Sequence, residues 1–533
     1  MKLSNILIYT FAFSQCSSTI LPQRIFQLSP STTSYSHSLF DDLISLFYPS
    51  GTQQDDFEAW LVQEKIISFE GIFNNIGGLS KILDPTIVEK GIVIASPSTS
   101  YPNYFYQWIR DSAITIKTLL CHLNDMTQDE FEQQGQLLDV IESFIENNYQ
   151  LQRLDNLSGT FADKSGLGEP KFNVDNTVFN ESWGRPQRDG PGLRSSTIMY
   201  YLKLIDKFDA PIQSQILKNQ KFIYFKVIRP DLMYIVQNWQ KPGFDLWEEI
   251  NSIHFFTSIT QLKAIKDGIE FAAKYKDYEL QDQLITAFQQ LKSAIESQQQ
   301  FGFTSSVISH IIECPNLYKI GHRSGLDAAT LLGSIHSHDD YQSDSSMIPF
   351  DIDNPYVINT LVAMVNDMKF RYPINHNKIG FLGVGVGIGR YPEDIYDGVH
   401  TSEGNPWFIS TATASEFVYR LIHKCITLRQ DIVITAANRG FFSQFISIDE
   451  EPNDGNAVVI EFNSVMYRTL MSQLASYADS FLSVIKTHVD GEGRMSEQFN
   501  KYTGYMQGAK ELTWSYSAFW NAVRWRERTL QVM

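Results

Sequence analysis

Apolar residues recur at spacings of three and four along six stretches of this 533-residue chain, and that period limits its fold more than any other feature. Residues 110–123 carry Ile114, Ile116, Leu119, Leu120 and Leu123. Residues 251–275 carry Phe255, Phe256, Ile259, Leu262, Ile265, Ile269 and Ala272. The stretch 280–295, with Leu284, Phe288, Leu291 and Ile295, repeats the pattern, as do 417–426 and 472–485. Upstream, Phe57, Trp60, Leu61, Glu64 and Ile67 predict an amphipathic helix capped by Asp55 or Asp56. At 3.6 residues per turn each pattern forms one apolar face that must be covered by another element. Many helices, joined by long loops rich in Gly, Pro, Asn and Asp, predict an all-α helical barrel or toroid. Long loops inside a compact domain are usually functional. One region departs from the pattern. Two β-rich runs between 432 and 461 flank Asp454-Gly455, which predicts a hairpin.

Composition narrows the function. With 43% hydrophobic and 19% charged residues, the chain has enough apolar surface to bury a core. Its net charge of -17 disfavours nucleic acid and anionic membranes, which attract Lys/Arg patches. The 13% aromatic share fits either core packing or the stacking of sugar rings. Of the four cysteines, Cys16 lies near the N-terminus. Cys121, Cys314 and Cys425 allow at most one disulfide, and no CxxC pair suggests zinc. Lys2 and the apolar run Ile6 to Phe13, then small polar residues, read as a secretory signal over residues 1–20. A Ser/Thr-rich extension follows to residue 55, and the catalytic domain is expected over 56–533. No other segment is apolar enough to span a bilayer. Asn156 and Asn180 begin glycosylation acceptor triplets. These features point to the secretory pathway, with a secreted or vacuolar product.

Five loop segments concentrate Trp, Arg and carboxylates. The first, Tyr104 to Asp111, places Arg110 and Asp111 at a helix start. There they serve either as a dipole-stabilised cap or as a clamp on hydroxyls, with Tyr104 as a wall. The second comprises Gly166 to Asp175 and Trp183 to Pro191, a long polar loop. The third is Gly243-Phe244-Asp245-Leu246-Trp247-Glu248-Glu249. If it opens a helix, three carboxylates share a face, and mutual repulsion beside a Trp raises a carboxyl pKa. The bland alternative is an exposed acidic first turn. The fourth, Gly389 to Asp394 with Glu403 to Phe408, follows a Gly-x-Gly-x-Gly run that fails the dinucleotide pattern at Ile388. The fifth is Met495 to Phe499 with Leu512 to Tyr516, where Glu497 is a second lone carboxylate. His336-Ser337-His338-Asp339-Asp340 reads as a polar surface loop and not as a metal site.

Taken in order, these motifs closely resemble glycoside hydrolase family 15, the fungal and yeast glucoamylases. Ala95 to Ser100, Gly168 to Asn173, Trp183 to Gln187, Arg390 to Asp394, Gly404 to Trp407, Asp245 to Glu249 and Ser496 to Gln498 carry the resemblance. It extends from about residue 56 to the C-terminus. The resemblance implies an (α/α)6 barrel, a six-hairpin toroid with a small β-hairpin insertion, and no metal or organic cofactor. It implies Glu248 as general acid and Glu497 as general base. It assigns Tyr104, Arg110, Asp111, Trp183, Leu246, Trp247, Glu249, Arg390 and Trp514 to substrate binding. The implied reaction is exo-hydrolysis of starch, glycogen and maltooligosaccharides, with inversion to β-D-glucose.

Inversion places the two carboxyl groups about 6.5–9.5 Å apart, leaving room for a water between them and the sugar. Activity is expected at acidic pH, with Glu248 protonated and Glu497 ionised. No starch-binding domain is expected after Trp514, and the chain is expected to be a monomer. The rivals are a trehalase, a phosphorolytic glucosyl transferase and a non-catalytic glucan-binding protein.

Overall fold

The computed structural model describes residues 52–338, 347–448 and 457–533. The chain divides into an N-terminal unit ending at Ala59 and one large unit, Trp60–Met533, which carries the fold. The signal segment expected at 1–20 and the extension up to residue 51 lie outside the described residues. Helix α1 already begins at Thr52, ahead of both the expected cap and the expected domain start at 56.

Along the chain follow α1 (Thr52–Asn74), α2 (Ile109–Asn124), α3 (Gly135–Leu151), α4 (Gly190–Lys207), α5 (Arg229–Asn238) and α6 (Phe255–Lys274). They continue with α7 (Tyr278–Glu296), α8 (Ala329–Ser337), α9 (Pro355–Arg371), α10 (Phe408–Thr427), α11 (Val465–His488) and α12 (Thr513–Leu530). The even-numbered helices pack in succession, α2 on α4, α4 on α6, α6 on α8, α8 on α10 and α10 on α12. Helix α12 then returns to α2 and closes the ring. The odd-numbered helices cover it from outside: α5 on α4, α7 on α6, α9 on α8 and α11 on α10. Helix α1 meets α12 through Trp60 on Phe519 and Phe69 on Trp520. Helix α3 meets α4 through the Tyr201 hydroxyl, which donates to Glu142. The result is the (α/α)6 barrel that the sequence implied.

Side-chain chemistry sorts the two rings. Helix α7 buries one stripe, Leu280, Leu284, Ala287, Phe288, Leu291, Ala294 and Ile295, and leaves its other face wet. Helix α10 is buried on all sides from Phe408 to Cys425, as a wall shared by two neighbours must be. Its Ser and Thr residues keep the packing close; Thr411 donates to the Trp407 carbonyl at 2.8 Å and Ser415 to the Ala478 carbonyl of α11 at 3.0 Å, whereas the Ser410 and Thr413 hydroxyls have no hydrogen-bond partner among the described residues. Between the rings, Arg194 of α4 holds Asp231 of α5 through two bonds of 2.8 and 2.6 Å. Ser464 and Asn354 cap α11 and α9 by accepting backbone N–H bonds.

Short two-stranded ladders brace the loops: β1 (Gln107–Trp108) with β2 (Lys171–Phe172), β3 (Gly243–Phe244) with β4 (Asn251–Ser252), β5 (Ile432–Ile434) with β6 (Val458–Ile460), and β7 (Gln498–Phe499) with β8 (Met506–Gln507). The β5–β6 pair is antiparallel and forms the expected insertion; its Asp454-Gly455 turn lies outside the described residues.

Two expectations need correction. Residues 245–250 do not begin a helix but turn between β3 and β4. Asp245 spends its carboxylate on the backbone, accepting from Glu249 and Ile250 N–H at 2.7 Å each. Such a side-chain-closed turn competes with helix formation. The three carboxylates therefore do not share a helical face. Nor is the histidine run a surface loop where it is described. His336 and Ser337 end α8, and His338 is buried, with Nδ1 2.9 Å from the Ser334 carbonyl. Asp339 and Asp340 lie outside the described residues.

Cys121, Cys314 and Cys425 are free thiols. Among the described residues no helix is long and apolar enough to cross a membrane.

Candidate active site

The segments entering all six even-numbered helices meet one another. Arg110 at the start of α2 bonds Asp189, the cap of α4, and lies beside Glu248, which precedes α6. Trp247 donates to Asp327 before α8, and Arg390 before α10 bonds Glu249. Phe408 N–H of α10 reaches the carbonyl of Glu497, which precedes α12. One end of the barrel thus gathers loops more than 380 residues apart in sequence.

Glu248 sits in the tight turn with φ of +66°, a left-handed conformation that costs a non-glycine residue energy. Its N–H bonds the Asp245 carbonyl at 3.0 Å. Trp108 Nε1 and Gln187 Nε2 each donate to Oε1 at 2.7 Å, and the Arg110 guanidinium lies 3.6 Å away. All of these donors address one oxygen. The strain and the donors hold the carboxylate in one orientation.

Glu497 is 1% exposed and precedes β7. Its main chain is pinned at both ends, N–H to the Ala509 carbonyl and carbonyl to Phe408 N–H. The hydroxyls of Tyr104 and Tyr396 face its carboxylate and lie 3.0 Å from each other. Among the described residues no group donates to Oε2. Burial pushes this carboxyl up to about 8, opposed by Tyr104, Arg390, the Ala509 N–H and Tyr396. The upward push thus falls on the residue expected to be ionised. Tyr104 senses both carboxylates, and its ring meets Trp108 at 5.4 Å, so it bridges the two sides of the site.

Beside Glu248, Arg110 Nε and Asp111 Oδ2 are both buried without a hydrogen-bond partner, 3.4 Å apart. Burial raises Asp111 to about 6, although Arg110 opposes the shift. These two atoms form an ion pair with each other but no hydrogen bond among the described residues, which leaves both with hydrogen-bonding capacity for a ligand. On the other side Arg390 grips Asp394 through two bonds of 2.8 and 2.6 Å and Glu249 through one of 2.7 Å. Glu249 also accepts from Arg323 at 2.7 Å and from the Tyr391 hydroxyl. These cations keep Glu249 below the usual carboxylate range against the effect of burial.

Trp247 packs edge-on against Trp407, and Trp183 against Trp108, at 5.5 and 6.0 Å between ring centres. Leu246 is buried within the turn, and Trp514 is buried in the first turn of α12. The structure therefore brings Glu248, Glu249, Arg110, Asp111, Tyr104, Trp183, Trp247, Arg390 and Glu497 into one network. Leu246 and Trp514 are buried apolar residues on the loops and helix start that carry the rest.

Sequence reasoning missed the supporting residues. Trp108, Gln187 and Asp189 lay inside quoted motifs, but nothing marked them as partners of Glu248 and Arg110. Tyr396, Arg323 and Asp327 carried no local signal at all. Among the described residues no group of three or more His, Cys, Asp or Glu is placed to hold a metal ion.

The family model described as glycosyl hydrolases family 15 matches residues 67–524. A glucoamylase of Saccharomycopsis fibuligera is 39% identical over 490 residues, 89% of this chain and 91% of the relative. An intracellular sporulation-specific glucoamylase of Saccharomyces cerevisiae is 38% identical over 487 residues, 89% of this chain and 85% of the relative. A solved glucoamylase structure from S. fibuligera superposes with a TM-score of 0.83 at 37% identity, covering 91% of this chain and 99% of that one. With barrel, motifs and overall likeness in agreement, the chain belongs to glycosyl hydrolase family 15.

Proposed function

We propose that this chain is an inverting, exo-acting glucan 1,4-α-glucosidase, with Glu248 as general acid and Glu497 as general base. The observation that carries the reading is the pair of carboxylates held by opposite walls of one barrel mouth. One is fixed by Trp108 and Gln187, and the other is buried with Oε2 free of donors among the described residues. The substrates are starch, glycogen and maltooligosaccharides.

In this reading Arg110 and Asp111 clamp the hydroxyls of the terminal glucose with Nε and Oδ2, which make no hydrogen bond among the described residues. Arg390 holds hydroxyls of the same glucose. Tyr104, Trp183 and Glu249 lie near the cleavage point and the next sugar, while Trp247, Leu246 and Trp514 close the wall. Glu248 protonates the glycosidic oxygen. Glu497 Oε2 accepts a proton from a water on the opposite face, and β-glucose leaves. The water's hydrogen bond to Oε2 and the charge of Arg390 oppose the effect of burial on Glu497.

The upward push on Glu497 favours one rival assignment, in which the two carboxyls exchange roles. A substrate with a fluoride leaving group separates the two, because fluoride needs no general acid. Glu248→Gln is expected to lose about 10²–10⁴-fold in kcat on maltoheptaose yet keep most hydrolysis of α-D-glucosyl fluoride. Glu497→Gln is expected to lose both. The reverse pattern would exchange the roles, and early release of α-glucose by the unaltered enzyme would rule out inversion.

The N-terminal apolar run supports entry into the secretory pathway, and the product is read as a secreted or vacuolar monomer. Asn180 is exposed, whereas Asn156 already commits its amide nitrogen to the Gly166 carbonyl at 3.0 Å. A glycan lost in Asn180→Gln would support export; an unglycosylated native protein would count against it.

A further inference from the structure

Lys171 is 2% exposed, yet its ammonium has neither a hydrogen-bond acceptor nor an ion-pair partner among the described residues. Four aromatic rings surround it instead. Nζ lies 3.6 Å from the centre of Trp183, 4.1 Å from Tyr106, 4.2 Å from Phe179 and 4.4 Å from Trp108. The rings also contact one another in a closed circuit. Tyr106 meets Phe179, Phe179 meets Trp183, Trp183 meets Trp108, and Trp108 meets Tyr106, with centres 5.2 to 6.1 Å apart and each pair edge-on.

The cage follows from the ladder. Lys171 of β2 pairs with Trp108 of β1, and partners directly opposite in an antiparallel pair place their side chains on the same face. Phe179, Trp183 and Tyr106 then fold over the lysine stem. A buried cation is costly unless something replaces its water, and the faces of aromatic rings do so without neutralising its charge.

Two of the four rings belong to the site already described. Trp108 donates to Glu248 at 2.7 Å, and Trp183 is the wall proposed for the sugar next to the cleavage point. We infer that Lys171 is a positioning residue, whose caged ammonium locks the Trp108–Trp183 corner and sets an unneutralised positive charge beside Glu248. This inference rests on the acid role proposed for Glu248. The charged groups facing Lys171 are Glu248, Glu181 and Arg185. Those facing Glu248 are Arg110 and Asp111 as well as Lys171. Burial lowers Lys171 to about 8, opposed by Glu248 and Glu181, so it is charged at acidic pH.

The test is the pH profile of kcat/KM on maltose for the enzyme and for Lys171→Met, which keeps the length and apolar stem of the side chain. The alkaline limb reports loss of the acid's proton in the free enzyme. Removing a nearby positive charge makes that proton harder to lose. The limb is expected to move up by about half a pH unit, roughly threefold in relative kcat/KM above the limb. KM is expected to rise as the corner loosens, and Lys171→Arg is expected to restore the limb. A folded Lys171→Met variant with an unmoved alkaline limb overturns the inference while leaving the glucosidase reading intact. Absence of glucosidase activity in the unaltered enzyme sinks that reading first. A measurement on the unaltered protein covers the case of a variant that does not fold. Ring currents in the cage are expected to shift one lysine ε-methylene proton signal far upfield in a ¹³C-lysine-labelled sample. A spectrum with no such signal overturns the cage.

Discussion

Replacing Glu64 by Gln should make the protein more stable at neutral pH while changing little in acid. Glu64 lies on α1, 1% exposed; among the described residues Oε1 has no hydrogen-bond partner, and the Trp60 side chain donates to the carboxyl. Burial and then the nearby Asp490 push it up from 4.5 to about 8. Between those two values the folded chain keeps a proton that the unfolded chain has released. Stability therefore falls as pH rises through this window, by about 1.4 kcal/mol per pH unit for one proton. The accumulated cost is about 1 kcal/mol at pH 5 and about 3 kcal/mol at pH 7. Glutamine occupies the same volume, accepts the same Trp60 bond and has no proton to lose.

Urea unfolding of both proteins at half-unit steps from pH 4 to pH 7.5 reads the difference directly. The two midpoints are expected to lie close together near pH 4. They then separate, with the variant ahead by about 2–3 kcal/mol at pH 7. A gap that stays constant across the range, or closes as pH rises, would refute the argument, because it would mean that Glu64 ionises alike in both states.

Other perturbations test the remaining parts. Tyr396→Phe removes a hydroxyl that favours the ionised form of Glu497; the acidic limb of kcat is expected to move upward, and an unmoved limb would count against Glu497 as base. Arg110→Met removes the Nε donor and the bond to Asp189. A charged hydrogen bond contributes about 1.5–3 kcal/mol, so kcat/KM on maltose is expected to fall at least about tenfold. Asp231→Ala strands the buried Arg194 guanidinium between α4 and α5; denaturant titration is expected to show a loss of about 3–5 kcal/mol.

Much of the fold was legible in the sequence because helical faces are a local property. The stripe of α7 was readable because an outer helix has one wet side. Helix α10 was only partly readable: periodicity marked 417–426, but the helix runs from Phe408, and its residues 410–415 are Ser, Thr and Ala, all buried. Burial on all sides erases the periodic signal. The loop from Asp245 to Glu249 misled for a different reason. Asp245, Glu248 and Glu249 have helical spacing, yet the Asp245 carboxylate closes a turn over the backbone of Glu249 and Ile250.

The motifs located the site through their residue types, since Trp, Arg and carboxylates gathered in loops have little use in a core. Pairing was beyond their reach. That Gln187 holds Glu248, that Tyr396 faces Glu497 and that Lys171 sits in a ring cage depend on which loops adjoin one another. Those contacts join residues up to about a hundred positions apart, on loops that adjoin one another only in the closed barrel. By itself the sequence determined the helical class and the family, because these depend on local periodicity and on which residues are present. The tertiary structure decided which oxygen of Glu248 is held, which oxygen of Glu497 is free, and how each charge is buried or balanced, because the electrostatic environment belongs to the assembled barrel mouth and not to any one segment.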